Sequence, residues 1–226
     1  MDIAIAEESY PVKEPNSNMR VFLAGNKPVS DEWEHRIVVN QWSMNNLDAK
    51  DMDNDGDIDL ITNEHMGTEH KTEIYLNDGK ANFTAQLVGT GSEMHLGAKC
   101  FDLDNDGDLE IIGVGWNDYK TLHLYRYDAM ERNIKWKHLS SVNGDIEVPN
   151  PGDQQTAALI MDMDQDGINE FFITERSQAP SVVAYKKSGE GWQKYIIEDG
   201  PLRIEAGSTS HDIDGDGDLD IVFGGD

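Results

Sequence analysis

The sequence has little cysteine, little positive charge and no long apolar run, and each shortage narrows the possibilities. Cys100 is the only cysteine in 226 residues, so no internal disulfide can form. Lysine and arginine total 18 against 44 acidic residues, and the formal net charge of -26 disfavours nucleic acid or an anionic membrane as partner. No segment approaches the ~18 apolar residues of a membrane span, so we expect no membrane insertion. No signal peptide is visible in the chain.

An acidic segment of nine residues occurs four times without gaps. The starts of the copies are separated by 51, 60 and 50 residues, which indicates a repeat architecture. In each copy carboxylates occupy positions 1, 3, 5 and 9, and glycine occupies position 6. The four copies are Asp51–Asp59, Asp102–Glu110, Asp162–Glu170 and Asp212–Asp220.

Aromatic residues recur with a similar period, each shortly before a β-prone segment. They are Trp33, Phe83, Trp136 and Trp192. Helical periodicity of useful length is absent, and turn-forming dipeptides separate short apolar segments. Four strands are predicted in the second full repeat, at residues 96–101, 109–114, 121–125 and 136–142. Four strands in each repeat of about 50 residues are typical of a β-propeller blade.

The acidic segments have the chemistry of a calcium loop. Alternating carboxylates can point inward from a curled backbone, glycine at position 6 permits the turn, and the position-7 carbonyl can complete the ligand set. Hard oxygen ligands on a flexible loop favour Ca²⁺ over Mg²⁺, and the absence of His and Cys from all four segments disfavours zinc. Acidic hairpin turns without metal are the alternative. Ile168 and Asn169 depart from the pattern, so a weaker site is expected in the third copy.

The copies are not EF-hand loops, because position 12 lacks glutamate and the flanking segments are strand-like. Acidic loops of this kind between strands resemble the FG-GAP or VCBS repeats of integrin-like β-propellers. The resemblance implies four-stranded antiparallel blades, with a calcium loop joining the first and second strands, and about four bound Ca²⁺. It implies these metal ligands, position 7 contributing only its carbonyl: Asp51, Asp53, Asp55, Asp57, Asp59, Asp102, Asp104, Asp106, Asp108, Glu110, Asp162, Asp164, Asp166, Ile168, Glu170, Asp212, Asp214, Asp216, Asp218 and Asp220.

The repeat begins and ends in mid-blade, with Asp2 aligned to position 9 of a calcium loop. Three full and two partial blades are predicted, within either a single propeller domain or a fragment of one. Further blades of a parent chain, or another chain, would complete it. The approximate blade limits are 1–40 (partial), 44–90, 94–143, 153–199 and 204–226 (partial).

Polar and aromatic side chains on the rim opposite the loops suit a sugar or a protein ligand. The candidates are His65, His95, Trp116, Tyr119 and Arg176. Two functions stay open: a non-catalytic extracellular, cell-surface or periplasmic calcium-binding module that binds carbohydrate or protein, or part of a polysaccharide-degrading lyase or hydrolase. A lyase needs a base and a cation, which His65, His95, Tyr119, Lys120 and Arg176 offer without diagnostic spacing, so no catalytic residue is assigned.

Overall fold

The secondary structure is entirely β in the part of the chain that the structure describes. Seventeen strands and no helix occur there, and no helix long and apolar enough to cross a membrane is found among the described residues. The computed structural model describes residues 2–11, 13–44, 46–90, 99–115, 122–139, 146, 155–189 and 191–225.

The chain divides into two compact units, Met1–Glu93 and Met94–Asp226. The first unit contains two antiparallel sheets, whose strands pair in chain order. The three-stranded sheet consists of β1 (Ile3–Ala6), β2 (Ser17–Leu23) and β3 (Glu34–Gln41). The four-stranded sheet consists of β4 (Asp48–Lys50), β5 (Asp59–Asn63), β6 (Thr72–Asn77) and β7 (Phe83–Gly89).

The second unit contains three antiparallel sheets of the same design. The first consists of β8 (Lys99–Phe101), β9 (Glu110–Val114), β10 (Leu122–Asp128) and β11 (Asn133–Leu139). The second consists of β12 (Gln155–Met161), β13 (Glu170–Glu175), β14 (Val182–Ser188) and β15 (Gly191–Glu198). The third consists of β16 (Ile204–His211) and β17 (Asp220–Gly225).

The second strand of each four-stranded sheet is the most deeply buried. Every residue of β5, β9 and β13 is buried, whereas the fourth strands β7 and β15 contain no buried residue. A strand that is covered on both faces loses the apolar–polar alternation of a half-exposed strand. This explains the almost continuous apolar sequences that follow the acidic segments.

Aliphatic and aromatic side chains of both four-stranded sheets form the core of the second unit. Phe171 is fully buried, its ring 4.7 Å from that of Tyr185 and 5.0 Å from that of Trp192. Cys100 is buried in β8, as expected for a small core residue. In the first unit the core is built by Met19, Met44 and Tyr75 with their neighbours.

The prediction of an all-β chain of antiparallel sheets is confirmed. In the second repeat, the four strands observed lie within three residues of the predicted starts, although residues 96–98, 121 and 140–142 fall outside the described ranges. Each acidic segment joins the first strand of a sheet to the second. Each loop is therefore anchored at both ends by two strands that pair with each other.

Candidate metal centres

The first aspartate of each acidic segment folds the loop around itself. In the first loop, Asp51 Oδ1 accepts a hydrogen bond from the Asp55 backbone N–H at 3.1 Å, and Asp51 Oδ2 accepts one from Gly56 N–H at 2.9 Å. The same two bonds form in the other three loops. The carboxylate of position 5 accepts from the backbone N–H of position 7 in all four. The departure at Ile168 therefore leaves the loop backbone unchanged.

Two residues of each loop have left-handed backbone conformations. Position 4 has φ between 57° and 79°, and the glycine at position 6 has φ between 89° and 99°. Asparagine tolerates the first conformation better than most residues, and glycine adopts the second without steric cost. These preferences explain Asn54, Asn105 and the invariable glycine of this repeat.

The carboxylate of position 9 attaches the loop to the sheet. Asp59 is fully buried; its Oδ2 accepts from Met52 N–H and its Oδ1 from Asn77 N–H, both at 2.8 Å. Glu110, Glu170 and Asp220 likewise accept from the backbone N–H of position 2. Glu110 and Glu170 are also buried, whereas Asp220 is exposed. Asp2 accepts from Ala24 N–H at 2.9 Å, the same bond that Asp59 makes with Asn77, which supports its alignment with position 9.

Carboxylates from positions 1, 3 and 9 converge in every loop. One oxygen from each of the three residues lies within 4.8 Å of the others, and the four groups are Asp51, Asp53, Asp59; Asp102, Asp104, Glu110; Asp162, Asp164, Glu170; and Asp212, Asp214, Asp220. Such groups can hold a hard divalent cation. Oε1 of Glu110 is buried and accepts no hydrogen bond from the described residues, so a cation would satisfy it. The donor set fits Ca²⁺; the ligand roles of positions 5 and 7 stay predictions.

Burial and mutual repulsion change the acidity of these carboxyls. Burial raises the pKa of Glu110 to about 8, with a smaller contribution from Asp104. Burial also raises the pKa of Asp59 to about 6, and the negative charges of Asp53 and Asp55 add to it. Without a cation, the second loop therefore holds a proton on Glu110 at neutral pH, and the first loop gains one on Asp59 only below about pH 6.

Calcium binding at pH 7 is expected to release protons. Glu110, with a pKa of about 8 without metal, must ionise to bind calcium. The raised folded-state pKa also means that this group stabilises the metal-free fold below its ordinary pKa of 4.5, and that the contribution is lost as pH rises through about 8. Calorimetric calcium titrations in buffers of different ionisation enthalpy measure the release. A binding heat independent of the buffer at pH 7 would contradict the expectation.

Two cations on third strands reach the loops, and sequence reasoning missed both. Arg126 on β10 contacts Asp106 and lies 3.1 Å from Asp108, and Lys186 on β14 contacts Asp164 and Asp166. Both cations follow position 9 by 16 residues, which is a recognisable spacing. This spacing can be interpreted only with the strand register, in which Arg126 lies opposite Glu110.

Neighbouring loops of the second unit are joined by side-chain amides. Gln165, at position 4 of the third loop, donates to Asp218 Oδ1 of the fourth loop at 2.6 Å. Asn105 donates to the carbonyl of Gly167 in the same way. Asn169 donates to the carbonyl of Asp102 at 2.9 Å, which explains its departure from the apolar pattern of position 8. The second, third and fourth loops thus form a connected row.

A glutamate recurs at the end of the strand that follows position 9 in three sheets, and sequence reasoning missed its role. Glu64 accepts from the backbone N–H groups of Thr68 and Lys71 at 3.0 Å, and Glu7 accepts from Asn18 N–H at 2.9 Å. Glu175 shares the backbone bond of these residues: its N–H donates to the Ser181 carbonyl, as that of Glu64 does to the Lys71 carbonyl. All three follow position 9 by five residues, so the repeat itself contained the information.

Of the rim residues predicted to contact a ligand, two lie in the described ranges. His65 is fully buried, its Nε2 3.9 Å from Glu8 Oε1, so it offers no surface to a ligand in this conformation, unlike the exposed position expected for it. Arg176 follows β13 and is partly exposed. His95, Trp116 and Tyr119 lie outside the described residues, and their role stays a prediction.

The four loops and their flanking strands also match a known family. The profile of the FG-GAP-like repeat matches residues 51–113 and 162–223. This chain belongs to the FG-GAP-like repeat family. Each matched segment begins at the first aspartate of an acidic loop and contains two loops. The resemblance inferred from the loops is thereby confirmed. No curated protein matches the sequence.

Solved structures with a similar fold include two polysaccharide lyases. The rhamnogalacturonan lyase PL11 of Bacillus licheniformis matches with a TM-score of 0.50 and 16% identity, over 93% of this FG-GAP-like repeat chain and 48% of the lyase. The crystal structure of rhamnogalacturonan lyase YesW matches with a TM-score of 0.48 and 16% identity, over 94% and 49%. The chain thus spans about half the length of these lyases. At 16% identity, the similarity to the Bacillus licheniformis lyase is evidence for the fold alone.

Proposed function

We propose that this chain is a calcium-stabilised β-propeller module that works outside the cytoplasm, as a scaffold that binds carbohydrate or protein. Each four-stranded sheet corresponds to one blade, and each acidic loop holds one structural Ca²⁺. The observation that carries the proposal is the convergence of three carboxylates within 4.8 Å in all four loops. A single acidic turn would carry little weight, but an identical hydrogen-bonded geometry in four copies indicates a common ligand.

Calcium suits these loops better than other common cations. The converging donors are all carboxylate oxygens, and no His or Cys occurs in any of the four segments, which argues against zinc. Mg²⁺ demands nearly ideal octahedral geometry and gives up its waters reluctantly, whereas Ca²⁺ accepts irregular oxygen sets.

A structural role follows from how the loops are attached. The position-9 carboxylates lie between paired strands and hold backbone N–H groups of the loop, so a bound cation would tie loop to sheet. Extracellular calcium modules bind with dissociation constants of about 10⁻⁴–10⁻³ M. Millimolar free calcium is found outside the cytoplasm, which supports the proposed location.

A second candidate is that the chain forms part of a polysaccharide lyase. The supporting observation is the fold likeness to a rhamnogalacturonan lyase over 93% of this chain. Arg176 is the one predicted catalytic-type group that the structure describes as partly exposed, and a cation of this kind can neutralise a uronate. The likeness covers only 48% of the lyase, so the scaffold proposal is preferred.

Incubation with pectic and other uronate polysaccharides separates the two candidates. We expect calcium-dependent retention of the protein on a glycan array or an immobilised polysaccharide, without formation of an unsaturated product. The unsaturated uronate absorbs in the ultraviolet, so the same mixtures report cleavage directly. Protein treated with EGTA is the control for retention. Time-dependent absorbance that requires the protein would replace the scaffold proposal with the lyase.

A further inference from the structure

The ammonium of Lys186 occupies the centre of the third acidic loop. Its Nζ contacts the carboxylates of Asp164 and Asp166 and lies 3.4 Å from Oε1 of the fully buried Glu170. These residues hold positions 3, 5 and 9 of the loop. Three carboxylates assigned to calcium therefore already face a cation supplied by the chain itself.

The corresponding position differs among the sheets. Arg126 pairs with Glu110 across β10 and β9. The register of β13 and β14, continued by one residue from Phe171 and Tyr185, places Lys186 opposite Glu170. In the sheet of the first loop, β5 and β6 pair Leu60 with Tyr75. Continuing this register by one residue places Leu76 opposite Asp59. The described part of the fourth loop's sheet, β16 and β17, has no third strand. The first three loops thus face Leu76, Arg126 and Lys186, respectively.

Resting on the calcium-binding function proposed above, we propose that Lys186 is an internal competitor of calcium that ranks the loops by affinity. The third loop binds Ca²⁺ more weakly than the first, whose third strand supplies Leu76. Arg126 has a smaller effect on the second loop. Calcium fills the first loop before the third as its concentration rises.

Electrostatics gives the direction of the effect. An ammonium and a divalent cation repel each other, so calcium must displace Lys186 from the carboxylates or bind beside it. Lys186 is 23% exposed in its side chain, which leaves its charge only partly screened. Arg126 reaches positions 3, 5 and 7, at 3.7 Å from Asp104 and 3.1 Å from Asp108. Lys186, in contrast, also lies 3.4 Å from the buried position-9 carboxylate of its loop, so it faces the converging carboxylates more directly.

The chain offers a reciprocal pair of substitutions. Lys186→Leu gives the third loop the residue of the first, and Leu76→Lys does the reverse. Native mass spectrometry counts bound ions at a calcium concentration that half fills the unaltered protein, and calorimetry gives the affinities. We expect Lys186→Leu to tighten one site about tenfold and Leu76→Lys to weaken one by about the same factor. Adding Asp162→Ala to Lys186→Leu should abolish the gain, which assigns it to the third loop.

Lys187→Leu is the matched control. It removes the same charge from the same strand, but its ammonium lies 4.9 Å from the centre of the Trp192 ring. Only Lys186→Leu should change calcium affinity substantially; equal effects of both would overturn the inference in favour of net charge. Unchanged affinities in both reciprocal variants would also overturn it. If neither the unaltered protein nor any variant bound calcium, the proposed function itself would fail. Circular dichroism at saturating calcium checks that each variant folds.

Discussion

Removing calcium with EGTA is expected to lower the melting temperature by roughly 5–10 °C for each saturated site that is emptied. A ligand at 100 times its dissociation constant stabilises the folded state by about 2.7 kcal/mol, and 1 kcal/mol shifts the melting of a chain this size by about 2–4 °C. The physical reason is that converging carboxylates repel one another without a cation. Differential scanning calorimetry with calcium and with EGTA measures the shift.

The control for this experiment must separate binding from screening. A chain with a net charge of -26 gains stability from any added salt, because salt weakens its self-repulsion. Magnesium chloride at the same concentration and sodium chloride at the same ionic strength are therefore compared with calcium chloride. We expect only calcium to restore the full melting temperature. An equal rise with all three salts would mean that the loops bind no specific ion.

Replacing Asp59 by alanine is expected to reduce the free energy of unfolding by roughly 2–6 kcal/mol, even in EGTA. The substitution leaves the buried N–H of Met52 and the partly buried N–H of Asn77 without the carboxylate that accepts their hydrogen bonds, and each unsatisfied group costs about 1–3 kcal/mol. Measuring in EGTA separates the effect of the lost hydrogen bonds from the effect of losing a metal ligand. Urea denaturation followed by tryptophan fluorescence gives the difference.

Asp57→Ala in the same loop is the matched comparison. Position 7 is expected to supply only its backbone carbonyl to calcium, which the substitution preserves. The unfolding free energy should change by less than about 0.5 kcal/mol in EGTA, and calcium stoichiometry should be retained. Similar destabilisation by the two substitutions would show that Asp59 has no special role in attaching the loop to the strands.

The acidic loops could be predicted from the sequence because their chemistry is local. Positions 1 to 9 are contiguous, glycine fixes the turn, and the hydrogen bonds of Asp51 span only four and five residues. The strands after the loops could be predicted for a similar reason, since buried strands such as β13 read as continuous apolar segments.

The rest depends on contacts between strands that are distant in the sequence. Lys186 reaches Asp164 only because β13 and β14 pair in one register, and a shift of one residue would point it to the other face. Asn169 departs from the apolar pattern of position 8 because its side chain donates to the carbonyl of Asp102, which lies 67 residues away in the sequence. His65 was expected on an exposed rim but is buried, because burial depends on how sheets pack and not on the polarity of one side chain.

Crystals grown in about 10 mM calcium chloride, well above the roughly 10⁻³ M dissociation constants of extracellular modules, would show directly whether the acidic loops bind calcium. Anomalous scattering identifies calcium independently of the refined coordinates. The account predicts an anomalous peak inside each acidic loop, coordinated by the carboxylates of positions 1, 3 and 9 at 2.3–2.6 Å. Loops with ordered carboxylates and no anomalous peak at this concentration would contradict it.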